Sequence, residues 1–250
     1  MTTHEAAHDE RHLGAACFAT THWSVVLAAG DTASLCGREA LEALCRTYWQ
    51  PIYAFTRRTG ANAEDAQDLT QGFFAHLLNG DSLKRADEAR GSFRSYLIGA
   101  LKHFLADAHD RSQARKRGGG IEFVPLDLLL AESRYGVEPV VETTPEAAYD
   151  RAWALAVLDR ALGRLREEFT LSGRSALFDG LKAFLTGDRA GVTFAAAAAR
   201  LRITEGAAKM TVTRMRQRFR ALVRQELAQT VLTNSELEEE LQAFAAALRD

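Results

Sequence analysis

At 250 residues, 47% of them hydrophobic and 26% charged, the chain has the makeup of a globular protein with room for one large core or two modest ones. A net charge of -2 excludes a uniformly cationic binder, no apolar run approaches a bilayer span, and the polar, acidic Met1–Arg11 is no secretory leader, so a cytoplasmic place without membrane attachment is expected. Cys17, Cys36 and Cys45 form no CxxC pair and argue against a disulfide framework or a zinc ribbon.

Apolar residues recur at steps of three and four along nearly every segment, which predicts an all-α protein. From Arg38, the positions Leu41, Leu44, Cys45, Tyr48, Ile52 and Phe55 mark one helix face, with a kink expected at Pro51 and an end at Gly60. Asn62 caps the next helix. Its core face holds Ala66, Leu69, Phe73 and Leu77, and its outer face carries Glu64, Asp68 and Gln71 before Asn79-Gly80 stops it. Ser92 caps a third helix with Phe93, Leu97, Ala100, Leu101, Phe104 and Leu105 inward and Arg94, Lys102 and His103 outward.

Gly118–Gly120, Pro125 and Pro139 break the pattern and predict a flexible linker over 118–143, with one short apolar piece at Leu126–Leu130. Thr144-Pro145-Glu146 restarts it as an N-cap, a proline at the first helical position and an acid at the positive end of the helix dipole. Ala148, Ala152, Leu155, Leu158, Leu162, Leu165 and Phe169 form the inward stripe of that helix. A short helix near Leu177–Leu185 follows. Two closely spaced helices, Thr193–Leu201 and Thr204–Glu226, then suit a helix-turn-helix, with Arg202 or Ile203 taking the turn position often given to glycine.

In the last of these, Ala208, Val212, Met215, Phe219, Leu222 and Val223 face inward. The remainder is cationic: Lys209, Arg214, Arg216, Arg218, Arg220 and Arg224 stand against Glu205 alone over Glu205–Gln225. A short helix, a tight turn and a cationic second helix is the arrangement that enters a major groove while neighbouring residues grip phosphates. Beyond it, the tail is acidic: Glu226, Glu236, Glu238, Glu239, Glu240 and Asp250 stand against Arg249. Ser235 with Glu238 reads as a capping box, and Leu237, Leu241, Phe244 and Leu248 make a stripe that must dock. It is expected either to complete the core of the second domain or to lie near the cationic helix and compete with phosphates.

Three stretches, YWQPIYAFTRRTGANAEDAQDLTQGFFAHLL, GSFRSYLIGALKHFLADAHDRSQARKR and TFAAAAARLRITEGAAKMTVTRMRQRFRALV, together resemble the extracytoplasmic-function subgroup of the sigma-70 family of bacterial RNA polymerase subunits. The resemblance runs from about Thr20 to Leu227. It implies two small helical domains: 20–117, which binds core polymerase and melts the promoter, and 144–227, a helix-turn-helix domain reading the minus-thirty-five element. They are preceded by a disordered tail at 1–19 and followed by the acidic tail at 228–250.

The resemblance further implies that Asp65, Asp68 and Gln71 dock on the clamp coiled coil of the largest polymerase subunit. Lys84, Arg85, Arg90, Tyr96, Lys102, His103, Arg111, Arg115, Lys116 and Arg117 would serve promoter melting. Lys209, Met210, Thr213 and Arg214 would read bases, with Arg216, Arg218 and Arg220 beside them. Promoter DNA and core polymerase are the implied partners, with room for an anti-sigma or other regulatory protein, and no cofactor is expected. Gly72 departs from the family, which usually has glutamate there; a glycine weakens a helix interior by about 1 kcal/mol relative to alanine.

The competing reading is a free-standing helix-turn-helix regulator of duplex operators, which leaves the polar face and basic helix of the first half unexplained. An enzyme finds less support. Asp65, Asp68 and His76 lack an HxxxH or HExxH pattern, no GK[ST] follows Gly118–Gly120, and His4, His8 and His12 sit in a polar terminus.

Overall fold

The computed structural model describes residues 35–79, 92–115, 144–186, 191–229, 231 and 233–249. They form nine helices and no strand: α1 (Leu35–Arg58), α2 (Ala63–Asn79), α3 (Phe93–Arg115), α4 (Pro145–Leu171), α5 (Ser175–Leu181), α6 (Ala183–Thr186), α7 (Phe194–Leu201), α8 (Glu205–Ala228) and α9 (Asn234–Ala247). None of these is long and apolar enough to cross a membrane. The triple glycine, the 118–143 segment and His4, His8 and His12 lie outside the described residues.

Two compact units emerge, one of residues up to Ala156 together with Ala228 onward, the other Val157–Leu227. In the first, α1 runs through Pro51, and residues 51–56 are buried on every side rather than on one stripe. Thr56 tolerates this because its hydroxyl donates to the Ile52 carbonyl at 2.9 Å, so no polar group is stranded. Asn62 caps α2 as expected, accepting from the Asp65 amide at 2.8 Å.

Phe73 and Phe104 meet edge to face at 5.7 Å, as do Tyr48 and Phe93 at 5.4 Å. That packing accounts for Gly72. A Cβ at this position would lie 3.3 Å from the Phe104 ring, so the glycine lets α2 and α3 approach at that ring.

The most consequential correction concerns Arg94, which the helical stripe places outward. Its side chain is only 13% exposed and its guanidinium bonds Glu240 of α9 at 3.2 Å and Asp150 of α4, lying 4.7 Å above the Trp153 ring. The Tyr149 hydroxyl, itself fully buried, donates to the Arg94 carbonyl at 3.3 Å. Burial pulls the Arg94 guanidinium down and the two carboxylates outweigh it, so its pKa is raised. Burial likewise pushes the Asp150 carboxyl up, against the pull of Arg94.

The tail helix therefore docks by both chemistries. Glu240 pairs with Arg94, and Phe244 meets Trp153 edge to face at 6.1 Å, so α9 belongs with α3 and the first turns of α4. Its capping box is Thr233 with Glu236, two residues earlier than Ser235 with Glu238. Leu237 is buried as expected, whereas Leu248 is 38% exposed and stands outside the stripe.

Within α4, Thr144 caps the first turn by accepting from the Ala147 amide at 3.2 Å. Leu155, assigned to the core by spacing, is 43% exposed, and Tyr149, Trp153, Val157 and Ala161 fill the interior instead. The second unit closes around Leu165, Phe169, Phe178 and Phe184, with Glu226 buried between Arg160 and Arg164 at 3.0 and 2.8 Å. Gly180 packs closely there: an added Cβ would fall 2.9 Å from the Leu201 side chain, which would have to shift to admit it.

Candidate nucleic-acid interface

The surface that stands out chemically is built by α7, a three-residue turn and α8. Thr193 caps α7 by accepting from the Ala196 amide at 3.2 Å, and Ala197 and Ala198 bury its inner face. Arg202 then takes the left-handed conformation at φ 55°, as the sequence required of it or Ile203. Its amide donates to Ala199 at 3.2 Å and that of Ile203 to Ala198 at 3.1 Å, the paired bonds that stop a helix within one turn. Thr204 immediately restarts the chain, its hydroxyl accepting from the Ala207 amide at 3.2 Å.

On α8 the inward residues Ala208, Val212, Met215, Leu222 and Val223 are buried as expected, and Phe219 is half-buried. Lys209, Met210, Thr213, Arg214, Arg216, Arg218 and Arg220 are all exposed. They are not equivalent. Arg216 donates to the Phe184 carbonyl at 2.8 Å, and Arg218 grips the Glu168 carboxylate with two nitrogens at 2.6 and 2.9 Å. That hydrogen bonding holds the Glu168 carboxyl below its usual range.

Lys209 pairs with Glu205 one turn back at 2.6 Å and sits 5.9 Å from the Phe194 ring, which is stacked at 4.1 Å on Phe184. Arg214 and Arg220 make no hydrogen bond or ion pair among the described residues. The sequence reading passed over Gln217, exposed on this same face; its spacing from Met210 and Thr213 was the available signal.

In the first unit, Asp65 and Asp68 are exposed on α2 and Gln71 is half-buried. Both aspartates line a cavity of about 550 Å³ with Thr59, Leu69, Leu105, Ala108 and His109. On α3, Tyr96 is half-buried and stacks on Phe93 at 6.0 Å, while Phe93 itself is core. Lys102 and His103 are exposed, and Lys102 pairs with Glu146 at 2.8 Å, an interaction that lowers the Glu146 pKa. Arg111 and Arg115 lie in the last turns of α3. Lys84, Arg85, Arg90, Lys116 and Arg117 lie outside the described residues.

Among the described residues no cluster of three or more histidines, cysteines, aspartates or glutamates is arranged to hold a metal ion. No family model, curated protein or solved structure matches the chain.

Proposed function

We propose that the chain is a non-catalytic initiation subunit of bacterial RNA polymerase, of the extracytoplasmic-function sigma type. It would comprise two small helical domains, the second a helix-turn-helix domain. One observation carries this reading: a capped short helix, a turn of Arg202, Ile203 and Thr204, and a long helix whose cationic face is exposed and whose apolar face is buried. A helix of this kind presents side chains to base edges while flanking cations hold phosphates.

The likeness of the three sequence stretches to the family supplies the partner. In this reading Asp65 and Asp68, which line the cavity between α2 and α3, receive the clamp coiled coil together with Gln71, and Tyr96, Lys102 and His103 serve the melted strand. Lys209, Met210, Thr213 and Arg214 read the upstream element.

The test is transcription by purified core polymerase on a promoter library, with and without the chain. Promoter-specific initiation that depends on the chain, and that weakens with Asp68→Arg, is the expected result. A chain that protects an operator unaided and leaves core polymerase unaffected would instead be a free-standing regulator.

A further inference from the structure

We infer that Gln217 is a specificity-determining residue of α8, reading an A·T pair about three steps from the base that Met210 meets. The inference rests on the DNA-binding reading above and extends it to a residue outside the assigned set.

At 100° per residue, Gly206, Met210, Thr213, Gln217 and Ala221 fall along one line of the helix, opposite the buried line of Ala208, Val212, Met215 and Leu222. Every member of that outer line is exposed, Met210 by 55%. Its two ends are small. Nothing lies within 4 Å of where a Cβ on Gly206 would stand, so packing inside the protein does not require a glycine there. Small residues at the two ends let the helix backbone come close to a groove there, while Met210, Thr213 and Gln217 project between them.

The cations bracket this line, and the fold has already sorted them. Arg216 and Arg218, on either flank, are tied to the Phe184 carbonyl and to Glu168. Arg214 and Arg220 flank Gln217 without a partner among the described residues and are available for phosphate or guanine. Thr213 has spent its hydroxyl on the Lys209 carbonyl at 3.0 Å.

The Gln217 side chain makes no hydrogen bond among the described residues, so its amide still offers an N–H that donates and a carbonyl that accepts, the pair that matches adenine N7 and N6. Seven residues of helix separate it from Met210, about 10.5 Å, close to three base-pair rises of roughly 3.4 Å. A helix lying along the groove keeps both side chains in register with bases.

The experiment is selection from a randomised duplex library with the full chain, alone and in complex with core polymerase, for wild type and three variants. Gln217→Ala should flatten the preference for adenine at one position by between about fivefold and a hundredfold, leaving the other positions and the salt dependence unchanged. Gln217→Glu should move that preference toward cytosine, whose N4 donates to a carboxylate, a change that no structural role of an exposed glutamine would produce. Arg214→Ala is the control that must alter the profile elsewhere. If both Gln217 variants select the wild-type profile while Arg214→Ala does not, the inference is overturned and DNA reading by α8 stands. Absence of any sequence preference for wild type, with or without polymerase, removes the DNA-binding reading itself.

Discussion

Replacing Glu240 with alanine tests whether the C-terminal helix is part of the first unit or merely lies against it. Arg94 is 13% exposed and Glu240 5%, so the variant strands a guanidinium that is largely out of water. Breaking one side of a buried pair costs about 3–5 kcal/mol, and Asp150, 36% exposed, still neutralises part of the charge, leaving a loss of roughly 2–4 kcal/mol. At about 2–4 °C per kcal/mol for a chain near this size, the melting transition of the first unit should fall by roughly 4–16 °C in calorimetry. The double variant Arg94→Met with Glu240→Leu should recover part of the loss, because apolar groups of similar volume replace the buried pair at little cost while Asp150, 36% exposed, loses its counter-charge. A Glu240→Ala transition within a degree of wild type, or a double variant as unstable as the two single losses added together, would refute the argument.

Two further outcomes follow from the second unit. Arg202→Gly relieves a left-handed non-glycine residue and should raise the urea midpoint by an amount worth about 1 kcal/mol, provided the turn and not the arginine itself is what the fold needs. The Glu168 carboxyl is held below its usual range by Arg218, so its ionised form favours the folded state: the contribution is present at neutral pH and is lost as pH falls through and below the ordinary glutamate range. Since both side chains are about two-fifths exposed, it is worth at most about 1 kcal/mol, and Glu168→Gln should show a correspondingly smaller loss of urea stability on acidification.

Much of this architecture can be read from spacing alone. The caps at Asn62, Thr144 and Thr193 and the left-handed turn at Arg202 are local matters, decided by residues three or four apart, and periodicity finds them. The errors share one cause. Arg94 looks like a solvated arginine until Asp150 and Glu240 arrive from 56 and 146 residues away. Leu155 looks like core until Tyr149 and Trp153, on adjoining lines of α4, take the interior. Gly72 reads as a weak spot because the ring that needs the space belongs to another helix.

The candidate interface divides in the same way. Helical spacing alone sets the exposed face of α8. Which of its cations are held by the fold depends on Phe184 and Glu168, which periodicity within α8 cannot show.

The pairing of Arg94 with Glu240 also imposes an order on folding during synthesis. The second unit's sequence is complete once Leu227 has been made, and its elements are near neighbours in the chain; the first unit's helices appear earlier but lack a buried counter-charge until residue 240 leaves the ribosome. The unit that is begun first is thus the one finished last, and the second is translated inside its interval. A nascent chain that has reached only the end of α8 carries every residue of the cationic helix yet leaves the Arg94 guanidinium with Asp150 alone, so the ion pair to Glu240 forms only once α9 has been made.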